Sequence, residues 1–110
     1  MPAISSVPDS NKQEARAAGF VFRLYVAGEA PNSQLALRNL KVLCQDHYRD
    51  DFHIDVVDVL LSPERAWTEG VIVTPTVVRV TPEPGIRIIG NLSNTDQVLS
   101  VLGFAMQAND

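Results

Sequence analysis

The chain has 110 residues, 45% of them apolar and 20% charged, which is the composition of one globular domain and leaves little length for a second. Nine Lys and Arg residues against thirteen Asp and Glu give a formal charge of -4, and the bases are scattered, so a nucleic-acid footprint is disfavoured. Cys44 is the only cysteine, which excludes an intramolecular disulfide and with it a secreted disulfide scaffold.

Residues 1–19 contain no apolar run of signal-peptide length and carry Asp9 and Glu14. No later stretch approaches the roughly 18 consecutive apolar residues of a membrane span. A cytoplasmic protein with no membrane partner is therefore expected. The same first segment is rich in Ser, Pro, Ala and charge without hydrophobic periodicity, so it is expected to be a flexible tail. The folded domain is expected over residues 20–106, with a short C-terminal tail over 107–110.

Residues 20–26 (FVFRLYV) are aromatic and β-branched with one charge, Arg23, and read as a buried central strand. That arginine should pair with an acid or face a groove. The break at residues 28–31 is followed by Ala36, Leu37, Leu40, Leu43, Cys44 and His47 or Tyr48 at helical spacing, with Asn32 or Ser33 as the expected cap. Residues 52–60 (FHIDVVDVL) alternate as a second strand, with Phe52, Ile54 and Val56 on one side and His53 and Asp55 on the other. Strand, helix and strand over some forty residues make a right-handed βαβ unit with parallel strands.

Ser62, Pro63 and Glu64 start a short helix that Gly70 must end. Trp67 lies within it and is read as a core residue, with an interface anchor as the alternative. Residues 76–81 (TVVRVT) and 86–89 (IRII) read as strands joined by the turn Pro82-Glu83-Pro84-Gly85, hence an antiparallel hairpin. Ser93 and Asp96 have capping-box spacing ahead of a last helix carrying Val98, Leu99, Leu102 and Ala105. The order β-α-β-α-β-β-α, with a mixed four-stranded sheet and helices on both faces, is the thioredoxin-like arrangement. Pro75, in Thr74-Pro75-Thr76 directly before the third strand, is the candidate for a cis peptide bond.

Thiol redox chemistry needs a thiolate at the start of the first helix, where the dipole lowers its pKa. That loop, residues 28–33, holds no sulfur, and Cys44 falls within the apolar stripe as a core thiol. Ser33 is the residue a glutathione site would use, and its reading as a helix cap is preferred. Cys44, His47, His53 and Asp55 lack the paired short spacing of a metal site. No catalytic, cofactor-binding or metal-ligating residue is therefore assigned.

In LYVAG (24–28), PNS (31–33), VVDVL (56–60), Pro63, TPT (74–76) and RIIGNLSN (87–94), the chain resembles the KaiB family of circadian-clock proteins, in register from about Phe20 to Leu102. The resemblance implies a binding protein. Its partner is a KaiC-like hexameric ATPase, on whose N-terminal ring the thioredoxin-like form sits. Family members also have a resting form, β-α-β-β-α-α-β, that is commonly a tetramer, so metamorphic switching and a resting dimer or tetramer are implied. Conflict between local signals is confined to the second half, where β-branched Thr95, Val98 and Val101 and the interior Gly103 weaken a helix that its caps favour.

The residues implied to meet the ATPase are Leu60, Leu61, Ser62, Pro63, Arg65, Gly70, Val71, Ile72 and Val73. An output histidine kinase is a further implied partner. KaiA is the least expected, because Asp55, Gly70 and Ile86 stand where the family pattern has basic residues. Val101 and Gly103 also replace its glycine and aspartate, and the chain stops soon after Met106 without the long acidic tail. The alternative reading is a stand-alone thioredoxin-like adaptor or sensor, like the domain at the front of certain clock-output histidine kinases.

Overall fold

The most apolar stretch of the chain becomes the middle of a sheet. In the computed structural model, which describes residues 18–83 and 85–102, β1 (Phe20–Val26) lies between two strands that both follow it in the sequence. The parallel neighbour is β2 (Phe52–Asp58), reached through α1 (Pro31–Tyr48). On its other side β3 (Thr76–Thr81) runs antiparallel, and β4 (Ile86–Ile89) pairs antiparallel with β3 at the far edge. A short α2 (Pro63–Glu69) precedes β3, and α3 (Thr95–Leu102) follows β4. The strand order is β2-β1-β3-β4, which is the thioredoxin-like β-α-β-α-β-β-α arrangement and not the β-α-β-β-α-α-β alternative.

Because successive strand residues face opposite sides, β1 divides its side chains between two cores. Phe22, Leu24 and Val26 join Ala36, Leu40, Leu43, Cys44 and Tyr48 of α1 with Val77, Ile88, Leu92 and Val98 on one face. Tyr25 turns to the other face, where it clusters with Val57, Ala66 and Val78, with Val59 and Val71 packed alongside. Phe20 stacks on Tyr48 with ring centroids 3.7 Å apart. The free thiol of Cys44 sits in the larger core, where burial pushes its pKa up to about 12. Burial does the same to Tyr48, raising it to about 12, with Cys44 adding to the shift and Arg79 opposing it.

Helix starts depart from the expected caps. Pro31 occupies the first position of α1 after Ala30, so Ser33 falls inside the helix and cannot be its cap, nor can Asn32. Instead the Ser33 hydroxyl is buried and accepts a hydrogen bond from the Ala27 N–H at 3.2 Å. At α3 the side chain of Asn94, not Ser93, accepts from the Gln97 N–H at 3.2 Å. Ser62 precedes α2 without a side-chain capping bond. Gly70 ends that helix in the left-handed region (φ 77°), its N–H bonding the Trp67 carbonyl at 3.1 Å, a conformation costly for any residue with a Cβ.

The Thr74–Pro75 peptide is cis, and so is Thr81–Pro82. Gly19 donates its N–H to Asp51 at 2.6 Å, so the last residue of the segment read as a tail is bonded to the domain. Residues 1–17, Pro84, Gly103, Ala105, Met106 and the 107–110 tail lie outside the described residues. Among those described, no helix is long and apolar enough to cross a membrane.

Candidate partner-binding face

The strand registers gather the candidate residues at one end of the sheet. Val26 pairs with Asp58, Tyr25 with Thr76, and Thr76 with Ile89. The segment leaving β2 (Leu60, Leu61), the segment entering β3 (Ile72, Val73) and the last residue of β4 therefore emerge at a single edge. One side chain fixes the geometry of the first segment. The Asp58 carboxylate accepts from the Gly28 N–H at 3.0 Å and the Leu60 N–H at 2.9 Å, joining the β1–α1 loop to the start of the α2 segment. Gly28 itself has φ 55°, and a Cβ there would lie 3.2 Å from Leu60 Cδ1.

Leu60, Leu61 and Ile72 are 69%, 81% and 94% exposed, so this edge leaves large apolar side chains uncovered. Val73 is exposed as well, and Pro63, Arg65 and Gly70 lie on the surface beside it. Ser62 is half-buried. Val71 turns inward against the smaller core, its N–H bonded to the Ala66 carbonyl at 2.9 Å. Pro75 is buried, and its carbonyl accepts from the Gly90 N–H at 2.9 Å.

Trp67 corrects its core assignment. It is 88% exposed, because the seven residues of α2 make two turns and the small Ala66 is the one that meets the sheet. A neighbour about 100° further round the helix must then point outward. Ile89 was also absent from the residues expected at this surface; its alternation opposite buried Ile88 is the signal that places it outward.

Charged groups hold α2 over the sheet where apolar contacts are few. One row across the sheet reads Asp55, Arg23, Val78, Arg87. Asp55 Oδ2 accepts from Arg23 Nε at 3.0 Å and from Arg65 Nη2 of α2 at 3.2 Å. At the other end of the helix, Arg87 Nη2 pairs with Glu69 at 3.3 Å and bonds the Glu69 carbonyl at 3.1 Å. Burial of the Arg23 guanidinium opposes its charge, but the bonds to Asp55 and Tyr25 prevail and its pKa is raised. The helix is thus tied at one end to β2 and at the other to β4.

Redox chemistry has no thiolate here. Cys44 is deep in the larger core, and a thiol with a pKa near 12 stays protonated at neutral pH. Among the described residues, no group of three or more His, Cys, Asp and Glu is placed to hold a metal ion. A second apolar feature lies on the opposite face of the sheet: a groove of about 660 Å³ between α1 and β2, lined by Leu37, Val42 and Val56 with Arg38 and Lys41.

The model of the KaiB domain family matches residues 23–104. The circadian clock protein KaiB3 of Synechocystis sp. is 43% identical over 79 residues, 72% of this chain and 78% of that protein. The circadian clock oscillator protein KaiB of Rippkaea orientalis is 40% identical over 80 residues, 73% of this chain and 77% of that one. Among solved structures, the N-terminal domain of Synechococcus elongatus SasA superposes with a TM-score of 0.66 at 20% identity, over 83% of this chain and 87% of that domain. Thioredoxin 1 of Thermosipho africanus gives 0.62 at 19% identity, over 82% and 99%. These two likenesses are likenesses of fold.

Proposed function

The chain belongs to the KaiB family, and from that premise we propose that it is a regulatory binding protein that docks on a KaiC-type hexameric ATPase and modulates its ATP hydrolysis or phosphorylation. The carrying observation is the cluster of exposed Leu60, Leu61, Ile72 and Val73 around α2 at one end of the sheet. Large apolar side chains exposed together at one end of a sheet are the kind of surface that marks protein contacts. The reading that the protein is not an enzyme draws support from Cys44, whose protonated and inaccessible thiol is no nucleophile.

In this proposal the thioredoxin-like form is the binding-competent one. A resting oligomer, dimer or tetramer, built on the β-α-β-β-α-α-β arrangement reduces apparent affinity by the fraction of chains in the competent fold. The setting is the cytoplasm. An output histidine kinase is a further partner in this proposal, and KaiA is not part of it. The second reading, a stand-alone adaptor that keeps one fold, is favoured by the likeness to the SasA N-terminal domain.

Size-exclusion chromatography with light scattering, on the chain alone and with a KaiC-type hexamer plus nucleotide, separates the two. Slow, nucleotide-dependent co-elution from a free dimer or tetramer is the expected outcome. A free monomer that binds at once favours the single-fold adaptor. No complex with any nucleotide sinks the ATPase reading.

A further inference from the structure

The geometry points to Trp67 as the anchor of this face, and to a partner surface that offers an apolar cleft of indole size with cations at its rim. The inference rests on the docking reading above and adds to it the residue that dominates and the chemistry it meets. Trp67 is the chain's only tryptophan and is 88% exposed, so folding makes almost no use of its largest apolar side chain. Tryptophan is among the residues most enriched where a few side chains carry most of an interface's energy. Its backbone is also fixed in advance. Arg65–Asp55 holds the helix before it, Glu69–Arg87 holds the helix after it, and the left-handed Gly70 stops the helix three residues on. A side chain presented on a held helix loses less freedom on binding than one on a mobile loop.

Charge narrows the occupant. Arg65 and Arg87 are each engaged by a carboxylate of this chain. Glu64, three residues before Trp67 and so on the same side of α2, is exposed and makes no ion pair among the described residues. Glu29 is exposed on the loop that abuts Leu60. The uncompensated charge around the apolar surface is therefore acidic, in line with a net charge of -4. A second copy docking through this same face sets acid against acid, whereas a cation-rimmed cleft complements it.

Full-length chain carrying 5-fluorotryptophan gives one fluorine resonance, from Trp67, and is titrated with an unlabelled KaiC-type hexamer plus nucleotide at low and high salt. The resonance is expected to shift and broaden as the hexamer saturates. Trp67→Ala is expected to bind on the order of 30-fold more weakly or worse, and Trp67→Phe to recover part of the loss. Glu64→Lys should weaken binding and flatten its salt dependence, which in the unaltered chain should run toward lower affinity at higher salt. Unchanged thermal unfolding of Trp67→Ala confirms that folding is not what was lost.

A Trp67→Ala affinity within threefold of the unaltered chain overturns the inference and leaves the docking reading standing. So does an unmoved resonance at saturation, an affinity that rises with salt, or a dimer of the free chain that Trp67→Ala dissolves. Absence of any complex with the unaltered chain overturns both.

Discussion

The two faces of the sheet are built on different principles. Among the described residues, the α1 and α3 side buries twelve in one continuous cluster, anchored by Phe22, Leu24 and Leu40. The α2 side buries four of the described residues in its cluster, and compensates with ion pairs that reach from a seven-residue helix to the two outer strands. Hydrophobic burial scales with apolar area, so most of the folding energy must come from the first side. The second side leaves several large apolar groups outside, at Leu61, Trp67 and Ile72. One face stabilises the domain, and the other is free to offer its apolar surface to something else.

The sharpest test of that division is Phe22→Ala, which removes a fully buried ring from the large cluster and should cost about 3–5 kcal/mol in denaturant unfolding. A loss below about 1 kcal/mol would break the contrast between the faces. Alkaline pH probes the same cluster more gently. The folded Cys44 thiol keeps its proton up to about 12, while the unfolded thiol releases it near an ordinary value of about 8.5. The folded state then holds the extra proton, so stability is flat below about pH 8.5 and falls above it, by up to about 1.4 kcal/mol per pH unit until the folded value is reached. Tyr48 adds to the fall at higher pH, and Cys44→Ala should flatten the first part of the slope in urea titrations across that range.

On the α2 side the effects should shrink. Asp55→Asn leaves Arg23 and Arg65 without their shared carboxylate, yet the groups are partly exposed and screened, so the loss should stay below about 1 kcal/mol. The difference from the unaltered chain should narrow as salt is added. Smallest of all, Trp67→Ala should change the unfolding free energy by no more than about 0.5 kcal/mol, since its side chain makes little contact with the fold. A larger shift would mean that the indole belongs to the core after all.

What could be read from the residues follows the same division. The central position of β1 is legible because seven consecutive residues with one charge can only be satisfied by cover on both faces, and Arg23 finds the acid its burial demands. The α1 stripe is legible because eighteen residues give the helical period room to repeat. Over the seven residues of α2 that period has no room, so Trp67 was assigned by its apolar character instead of its angle to Ala66. The cap at Ser33 failed for a related reason. Pro31 already fixes the first turn, and a hydroxyl two residues further in serves the Ala27 N–H instead. In the candidate face, the stretch from Leu60 to Val73 was marked by resemblance, whereas the contributions of Trp67 and Ile89 depend on which way each side chain turns. The double use of Asp55 depends on three elements meeting, which no local pattern encodes.

The strand order has a further consequence. Every backbone pairing between the βαβ unit of residues 20–58 and the hairpin of residues 76–89 runs through the single ladder of β1 with β3. If that ladder opens, β1 and β2 keep each other and the cover of the eighteen-residue α1, whereas β3 and β4 keep only each other and the eight-residue α3, and a two-stranded hairpin is marginal in water. Amide hydrogen exchange should accordingly show β4 and the outer amides of β3 exchanging through a lower-energy opening than those shared by β1 and β2. The sheet is continuous in space, yet its expected line of weakness runs down one side of its most deeply buried strand.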